Sequence, residues 1–418
     1  MRLSKELARI KTHCEATSTY TWVNMVKRIF ATVKPEILKW ARTSAGFTAD
    51  GAAKSLKVQA SILALWEEGT QAPSIPQLRS LAILYKRPLA VFYLQEEPLR
   101  FQVLSDLRRP RQGEEHVYSP LLTQAIRSAQ QRRVLAQELA ADIGEDVKHF
   151  PFRLEPSTPE EAGEVIRKFL GVTLEVIRQF RSDPDGRAAL NSWRSAIEDT
   201  GVLVFQSSRI PQAEASGFAL AYDETPVIVI NRKDGPQRRL FSLLHEFAHV
   251  ALRESGVSDL RIDRQLAAVS ADVEMRCNAI AAAALMPIQT FKDELQSAIA
   301  DCGDLTDEAI ARVARRFGVS RLAVVLRLVR TDQASWAFYF EKNALYKAEH
   351  EHQLANREPP PEMKRNIPQE SLSDLGRPFI GLVLGNYHQR NITLSDVAGY
   401  LGVRVKHVGP IERRMVAF

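Results

Sequence analysis

The sequence predicts a mainly α protein with one small β-sheet, an α+β chain of more than one domain. Three observations carry that expectation. At 418 residues the chain is too long for a single ordinary core. Most of its length is apolar at helical spacing, broken at intervals by proline or glycine. Only the short runs 202–205, 217–222 and 227–230 have strand character. Hydrophobic residues at 45% and charged residues at 25% are ordinary globular usage, which excludes fibrous, disulfide-stapled and wholly disordered classes.

The elements follow in order. Residues 1–32 read as an extension with a short helix at 3–10. The segment 33–97 reads as a helical domain. Pro35 suits a first helical position, with Ile37, Leu38, Trp40 and Ala41 on one apolar face. Thr48 is a credible N-cap for 49–56, and 60–68 ends at Gly69. After a turn at 73–76, the helix 77–85 turns Leu78, Leu81, Ala82 and Tyr85 inward. Residues 98–154 form a linker, with Pro98, Pro110 and Gly113 among basic residues, and a helical connector from 119 to about 143. Domain 155–330 opens on helices at 159–170 and 188–200, which lead into the strands. The residues 223–226 between the last two strands read as a hairpin connection. A central helix over 237–252, a loop to about Asp263, a long helix ending at Pro287, and helices at 306–316 and 320–330 complete it. Residues 331–376, with Pro359, Pro360 and Pro361 amid charges, read as a mobile linker, and 377–418 as a small helical C-terminal region.

Charge and cysteine usage narrow the setting. The formal net charge is +6, and residues 1–109 hold 17 Lys and Arg against 9 Asp and Glu. A basic N-terminal quarter points to an acidic partner, nucleic acid being the usual one. Cys14, Cys277 and Cys302 are few and widely spaced, which fits a reducing compartment. The N-terminus lacks the apolar core of a signal peptide, and no apolar run approaches the roughly 20 residues needed to span a bilayer. The expectation is a cytoplasmic protein with no membrane partner.

The chemistry is concentrated in His245-Glu246-Phe247-Ala248-His249. Residues four apart on a helix share a face, so His245 and His249 can both reach one zinc ion at about 2.0–2.1 Å. Glu246 points roughly 100° around the helix, placed to hold a metal-bound water as general base. Leu240, Leu244, Phe247 and Ala251 would anchor the helix. A catalytic zinc needs a third protein ligand, and no histidine follows before His350. The candidates are Glu254, Asp259, Asp263, Asp272 and Glu274. Glu274 opens the most helical text, where Ala279 and Ala281 to Ala284 permit close packing on the histidine helix. Cys277, on that same stretch, reads as a small core residue, a thiol switch being its other use. The strand 217–222 or 227–230 could hold an extended substrate by strand addition, and Tyr222 is a candidate for stabilising an oxyanion. Manganese or iron in place of zinc stays open.

Gly217-Phe-Ala-Leu, Pro226-Val-Ile-Val-Ile-Asn231, the histidine motif after Phe241, Glu274-x-x-x-Asn278 and Ala284-Leu-Met-Pro287 together resemble the ImmA/IrrE metallopeptidases over roughly 155–330. That resemblance implies a zincin-like domain with His245, His249 and Glu274 as metal ligands and Glu246 as base. Ala248 stands where the family usually has glycine. Trp40-Ala-Arg-x-x-Ala-Gly46, Thr48 and Trp66-Glu-Glu-Gly69 resemble Xre-type helix-turn-helix domains over about 33–94. There the second helix of the motif presents its first residues to DNA bases. Gln59 and Ser61 would take that place, with Lys54 and Lys57 near phosphates. Lys57 occupies the turn position usually held by glycine, and Ile62 and Leu63 make the reading face apolar. Protein docking is therefore the other use of this fold. In the family such a module begins close to its first helix, and Met25 directly precedes that point here, so 1–24 reads as an upstream extension or a mis-assigned start.

The expected function is a zinc endopeptidase of narrow specificity. The resemblance suggests a repressor-like helix-turn-helix regulator as protein substrate, with double-stranded DNA as partner of the N-terminal module. The alternatives are a DNA-binding regulator that uses the peptidase fold as sensor or scaffold, and an antitoxin-like protein.

Overall fold

A computed structural model describes residues 30–98, 118–146, 149–155, 157–180, 185–254, 256–258, 268–356 and 365–416. The helix expected at 3–10, most of the proposed extension, the linker residues 99–117, the prolines 359–361 and the ligand candidates Asp259 and Asp263 lie outside them. The chain forms two compact units, Met1–Pro98 and Leu99–Phe418.

In the first unit, α1 (Pro35–Thr43), α2 (Ala49–Leu56), α3 (Ala60–Glu67) and α4 (Ile75–Tyr85) enclose a core of Leu38, Ala52, Leu63, Trp66, Leu78 and Tyr85. Pro35 opens α1, and the Thr48 side chain accepts a hydrogen bond from the Gly51 amide at the start of α2. The α4 helix begins two residues earlier than its apolar periodicity suggested. Ser74 caps it and donates its own amide to Gln77 Oε1 at 2.8 Å, so Pro76 lies inside the first turn. Arg42 grips Glu67 with two bonds of 2.7 and 2.9 Å and donates to the Phe47 carbonyl, tying α1 to α3.

The second unit is layered around a four-stranded sheet. β1 (Leu203–Ser207), β2 (Gly217–Leu220), β3 (Val227–Asn231) and β4 (Gly256–Ser258) run in the order β1-β3-β2-β4. β1 pairs parallel with β3, while β2 pairs antiparallel with both β3 and β4. Both faces are covered, which is why the strands read as continuous apolar runs. Val204, Ala219, Ile228 and Ile230 enter one core. Leu203, Phe205, Phe218, Leu220, Val227 and Val229 enter the other.

The first core is closed by α6 (Pro159–Phe169), α8 (Arg187–Glu198), α9 (Pro236–Leu252) and α10 (Ala268–Leu285), with further helices behind them. The small residues of α10 serve two neighbours. It packs on α9, as expected, and also on α6. A Cβ at Gly163 of α6 would fall 2.6 Å from the Ala284 nitrogen, so only glycine permits this approach. The second core is closed by α5 (Pro120–Asp142) and the C-terminal helices.

Several expectations require correction. The short α7 (Leu174–Gln179), the helix α11 (Ile288–Cys302) and β4 were not legible. Helices α12 (Asp307–Phe317) and α13 (Arg321–Arg330) fall where expected. The stretch 331–376 is not simply a linker, because it contains α14 (Trp336–Ala355) and α15 (Ile367–Leu375). On α14, Tyr339 is buried, and Lys342 and Tyr346 bond Asp307 of α12 at 3.1 and 2.7 Å. On α15, Leu375 is buried and Asp374 pairs with Arg232 at 3.0 Å.

The C-terminal residues are not a separate small region either. α16 (Arg377–His388), α17 (Leu394–Leu401) and α18 (Val408–Val416) share the second core with α5 and the sheet. Fully buried Asn386 of α16 donates to the carbonyl of Leu139 on α5 at 2.8 Å.

Candidate metal centre

The site is built on α9, which follows β3 after a tight loop. Asn231 at the end of β3 is fully buried and donates to the carbonyls of Ile210 and Ala215. It thereby fixes the chain just before β2, and Arg238 in the first half of α9 donates to the Ser216 hydroxyl at 3.0 Å. Leu240, Leu244, Phe247 and Ala251 are all buried, so α9 is anchored by the residues that its periodicity assigned to the core.

This anchoring puts His245, Glu246 and His249 wholly out of solvent. The Nε2 atoms of His245 and His249 stand 3.1 Å apart, and Glu274 of α10 brings Oε2 to 3.2 Å from the first and Oε1 to 3.4 Å from the second. A tetrahedral zinc with bonds of about 2.0–2.1 Å separates its ligand atoms by roughly 3.3 Å. The three side chains therefore fit such an ion. Among the described residues these are the three that could hold a metal together. Glu254 and Asp272, the other described candidates, lie outside the cluster.

The protonation states suit the same use. Burial pushes His245 below the ordinary imidazole value, keeping it neutral with a lone pair to offer. Burial pushes Glu274 upward, but hydrogen bonding to the two imidazoles outweighs that effect and lowers it to about 2, so the carboxylate is anionic at neutral pH. Cys277, one turn along α10, is fully buried, and burial raises its thiol well above the usual range. A protonated thiol is a poor nucleophile, which favours its packing role over a switch.

Glu246 lies directly beneath β2. A Cβ at Gly217 would fall 2.9 Å from Glu246 Oε1 and 2.8 Å from the Val229 carbonyl oxygen, so the missing side chain is the space the carboxylate occupies. The structural use of Gly217 and Asn231 was not read from the sequence, although both stand in the text that carries the resemblance. Asn278, one helical turn beyond Glu274, is in hydrogen-bonding contact with His245. Its signal was the four-residue spacing that puts it on the Glu274 face.

Two expectations about substrate handling are corrected. β3 lies between β1 and β2 and offers no free edge, while the outer edge of β2 at Gly217, Phe218 and Ala219 is paired with β4 in this conformation. Tyr222 packs against the second core, on the opposite side of the sheet from Glu246, with the Arg133 guanidinium 4.0 Å above its ring. It is no candidate for an oxyanion contact.

In the first unit, Lys54, Lys57, Gln59 and Ser61 are all exposed around the α2–α3 turn. Lys57 adopts the left-handed conformation, at φ 57°, that glycine would adopt more easily. The described residues 30–98 hold eight Lys and Arg against six Asp and Glu, so most of the N-terminal charge excess lies outside them.

Residues 197–329 match the model of the IrrE N-terminal-like domain family. Over 122 residues the chain is 34% identical to the radiation response metalloprotease IrrE of Deinococcus deserti, an alignment that covers 28% of this chain and 41% of that relative. No solved structure matches the chain. The resemblance read from the motifs holds over the segment that carries His245, Glu246, His249 and Glu274. No described helix is long and apolar enough to cross a membrane.

Proposed function

We propose that this chain is a metal-dependent endopeptidase of narrow specificity, with zinc as the resident ion and a regulatory protein as substrate. The observation that carries the reading is the triangle of His245, His249 and Glu274, with the buried Glu246 carboxylate beside it beneath β2. When bound there, zinc supplies Lewis acidity and lowers the pKa of its water to about 7. His245, His249 and Glu274 hold the ion. Glu246 accepts the proton from the attacking water and returns it to the leaving amine. Burial of these groups keeps the charge interactions strong. A helix-turn-helix repressor as the cleaved protein rests on the resemblance alone.

The test is terminal proteomics on cells that make the wild-type protein or Glu246→Gln. A discrete set of new N-termini in the wild-type sample, absent from the variant, supports a narrow endopeptidase. Identical termini in both samples contradict it.

The N-terminal unit has the helix–turn–helix rhythm of a DNA reader, and exposed Gln59 and Ser61 with Lys54 and Lys57 nearby support double-stranded DNA as its partner. Protein docking by the same helices is the competing use. Binding measured across salt concentration separates them, because phosphate contacts make affinity fall steeply with salt.

A further inference from the structure

From the position of β4 we infer that the protein occupies its own substrate-strand position, so that Gly256–Ser258 must leave the edge of β2 before an extended peptide can reach the metal centre. The inference rests on the metallopeptidase reading and adds a regulatory step to it.

Three observations lead there. First, β2 is the strand that crosses the catalytic carboxylate, with Gly217 in contact distance of Glu246. An extended peptide hydrogen-bonded along the outer edge of β2 would lie one strand spacing, about 4.8 Å, from Gly217. A peptide on the far side of β4 would lie about 10 Å away, beyond reach of a base that must act within one water of its target. Second, that nearer position is already filled. β4 pairs antiparallel with β2 in the register Gly217–Ser258, Phe218–Val257 and Ala219–Gly256. Third, the reacting centre is closed in this conformation, with His245, Glu246 and His249 wholly buried and Glu274 only 16% exposed.

The root of the strap is fixed by Arg253. Arg253 ends α9 in a left-handed conformation at φ 60° and reverses the chain toward the sheet. Its guanidinium donates to the carbonyls of Phe150 and Tyr222 at 2.8 and 3.3 Å. Among the described residues, three positions of pairing follow. An extended segment of a protein substrate, which can pair along the whole of β2, can compete with this ladder, whereas a brief encounter cannot. Such competition favours substrates able to present an extended segment and lowers turnover of unselected peptides.

The experiment uses the full zinc-loaded chain and two probes, a tripeptidyl hydroxamate and acetohydroxamate. Both offer the same metal-binding group, and only the first can lie along a strand. Val257→Pro and Ser258→Pro each remove a backbone donor from β4. The affinity of the tripeptidyl probe should rise at least tenfold more than that of acetohydroxamate in one or both variants. Equal behaviour of the two probes in both variants overturns the inference.

A measurement on the wild type guards against variants that misfold. Saturating tripeptidyl hydroxamate should accelerate amide exchange at 256–258 while 217–220 stay protected. Greater protection at 256–258 would mean that the peptide adds outside β4 and would also overturn the inference. A wild type that holds no zinc, or binds neither probe, instead refutes the metallopeptidase reading and the strap with it.

Discussion

Gly217→Ala is the substitution whose effect follows most directly from the geometry. The added methyl would fall 2.8 Å from the Val229 carbonyl oxygen, 2.9 Å from Glu246 Oε1 and 3.3 Å from Glu246 Cγ. Carbon needs about 3.5 Å to such neighbours, so β2 and the carboxylate must separate by roughly half an ångström. That displacement is near the limit a reacting constellation tolerates, and a loss of about 10- to 100-fold in turnover is expected. Overpacking adds a stability loss of about 1–3 kcal/mol. Zinc content should not change, because the three ligands stand on α9 and α10. The assay is turnover of the substrate found by terminal proteomics, with urea denaturation and metal analysis alongside. Gly235→Ala is the control. Its methyl would meet nothing within 4 Å and it lies at the start of the same α9 helix, so it should leave turnover unchanged. Wild-type turnover and stability in Gly217→Ala would refute the placement of Glu246 beneath β2.

Other expectations follow from the packing. Asn386→Ala leaves the buried carbonyl of Leu139 without its donor and should cost about 1–3 kcal/mol in urea denaturation; an effect below 0.5 kcal/mol, roughly the low end for a hydrogen bond, would contradict the coupling of α16 to α5. Lys57→Gly should stabilise the first unit by about 0.5–1 kcal/mol by relieving the left-handed backbone, and should lower the salt slope of DNA binding by about one if Lys57 meets a phosphate. Destabilisation by Lys57→Gly in the same denaturation assay would contradict the first expectation. Burial raises the Asp307 carboxyl, but hydrogen bonds from Tyr346 and Lys342 outweigh it and hold it below 3.8. Its contribution is therefore present above pH 3.8 and lost as pH falls through the lower folded value. The stability difference between wild type and Tyr346→Phe, no more than about 1 kcal/mol at this half-exposed pair, should narrow between pH 6 and pH 3. A difference independent of pH would show that Asp307 is not what holds α14.

The parts legible in the sequence are those with a local cause. The apolar stripe of α9 fixed which way His245 and His249 point, and Thr48 and Pro35 marked helix starts through their own backbone chemistry. The text 217–222 and 227–230 announced strands because β2 and β3 are buried on both faces. The missed elements depend on distant partners. A three-residue strand such as β4 has no periodicity to read, and it exists because β2 offers an edge. The α14 helix looked like linker because its charged residues are spaced as on any solvated stretch, and the surface they cover comes from distant partners such as Asp307, which Lys342 and Tyr346 bond. The choice of Glu274 over Glu254 and Asp272 needed either a family resemblance or the α9–α10 packing, since five carboxylates were available in sequence and spacing alone could not separate them.

The central claim is that His245, His249 and Glu274 hold one metal ion beside Glu246. It is tested most directly by metal analysis of the purified chain, with the wild type beside His249→Ala, Glu274→Ala and Glu246→Gln after zinc loading and dialysis. Close to one zinc per chain is expected in the wild type and in Glu246→Gln, with loss in both ligand variants. A wild type without metal, or ligand variants that retain it as tightly as the wild type, would contradict the account.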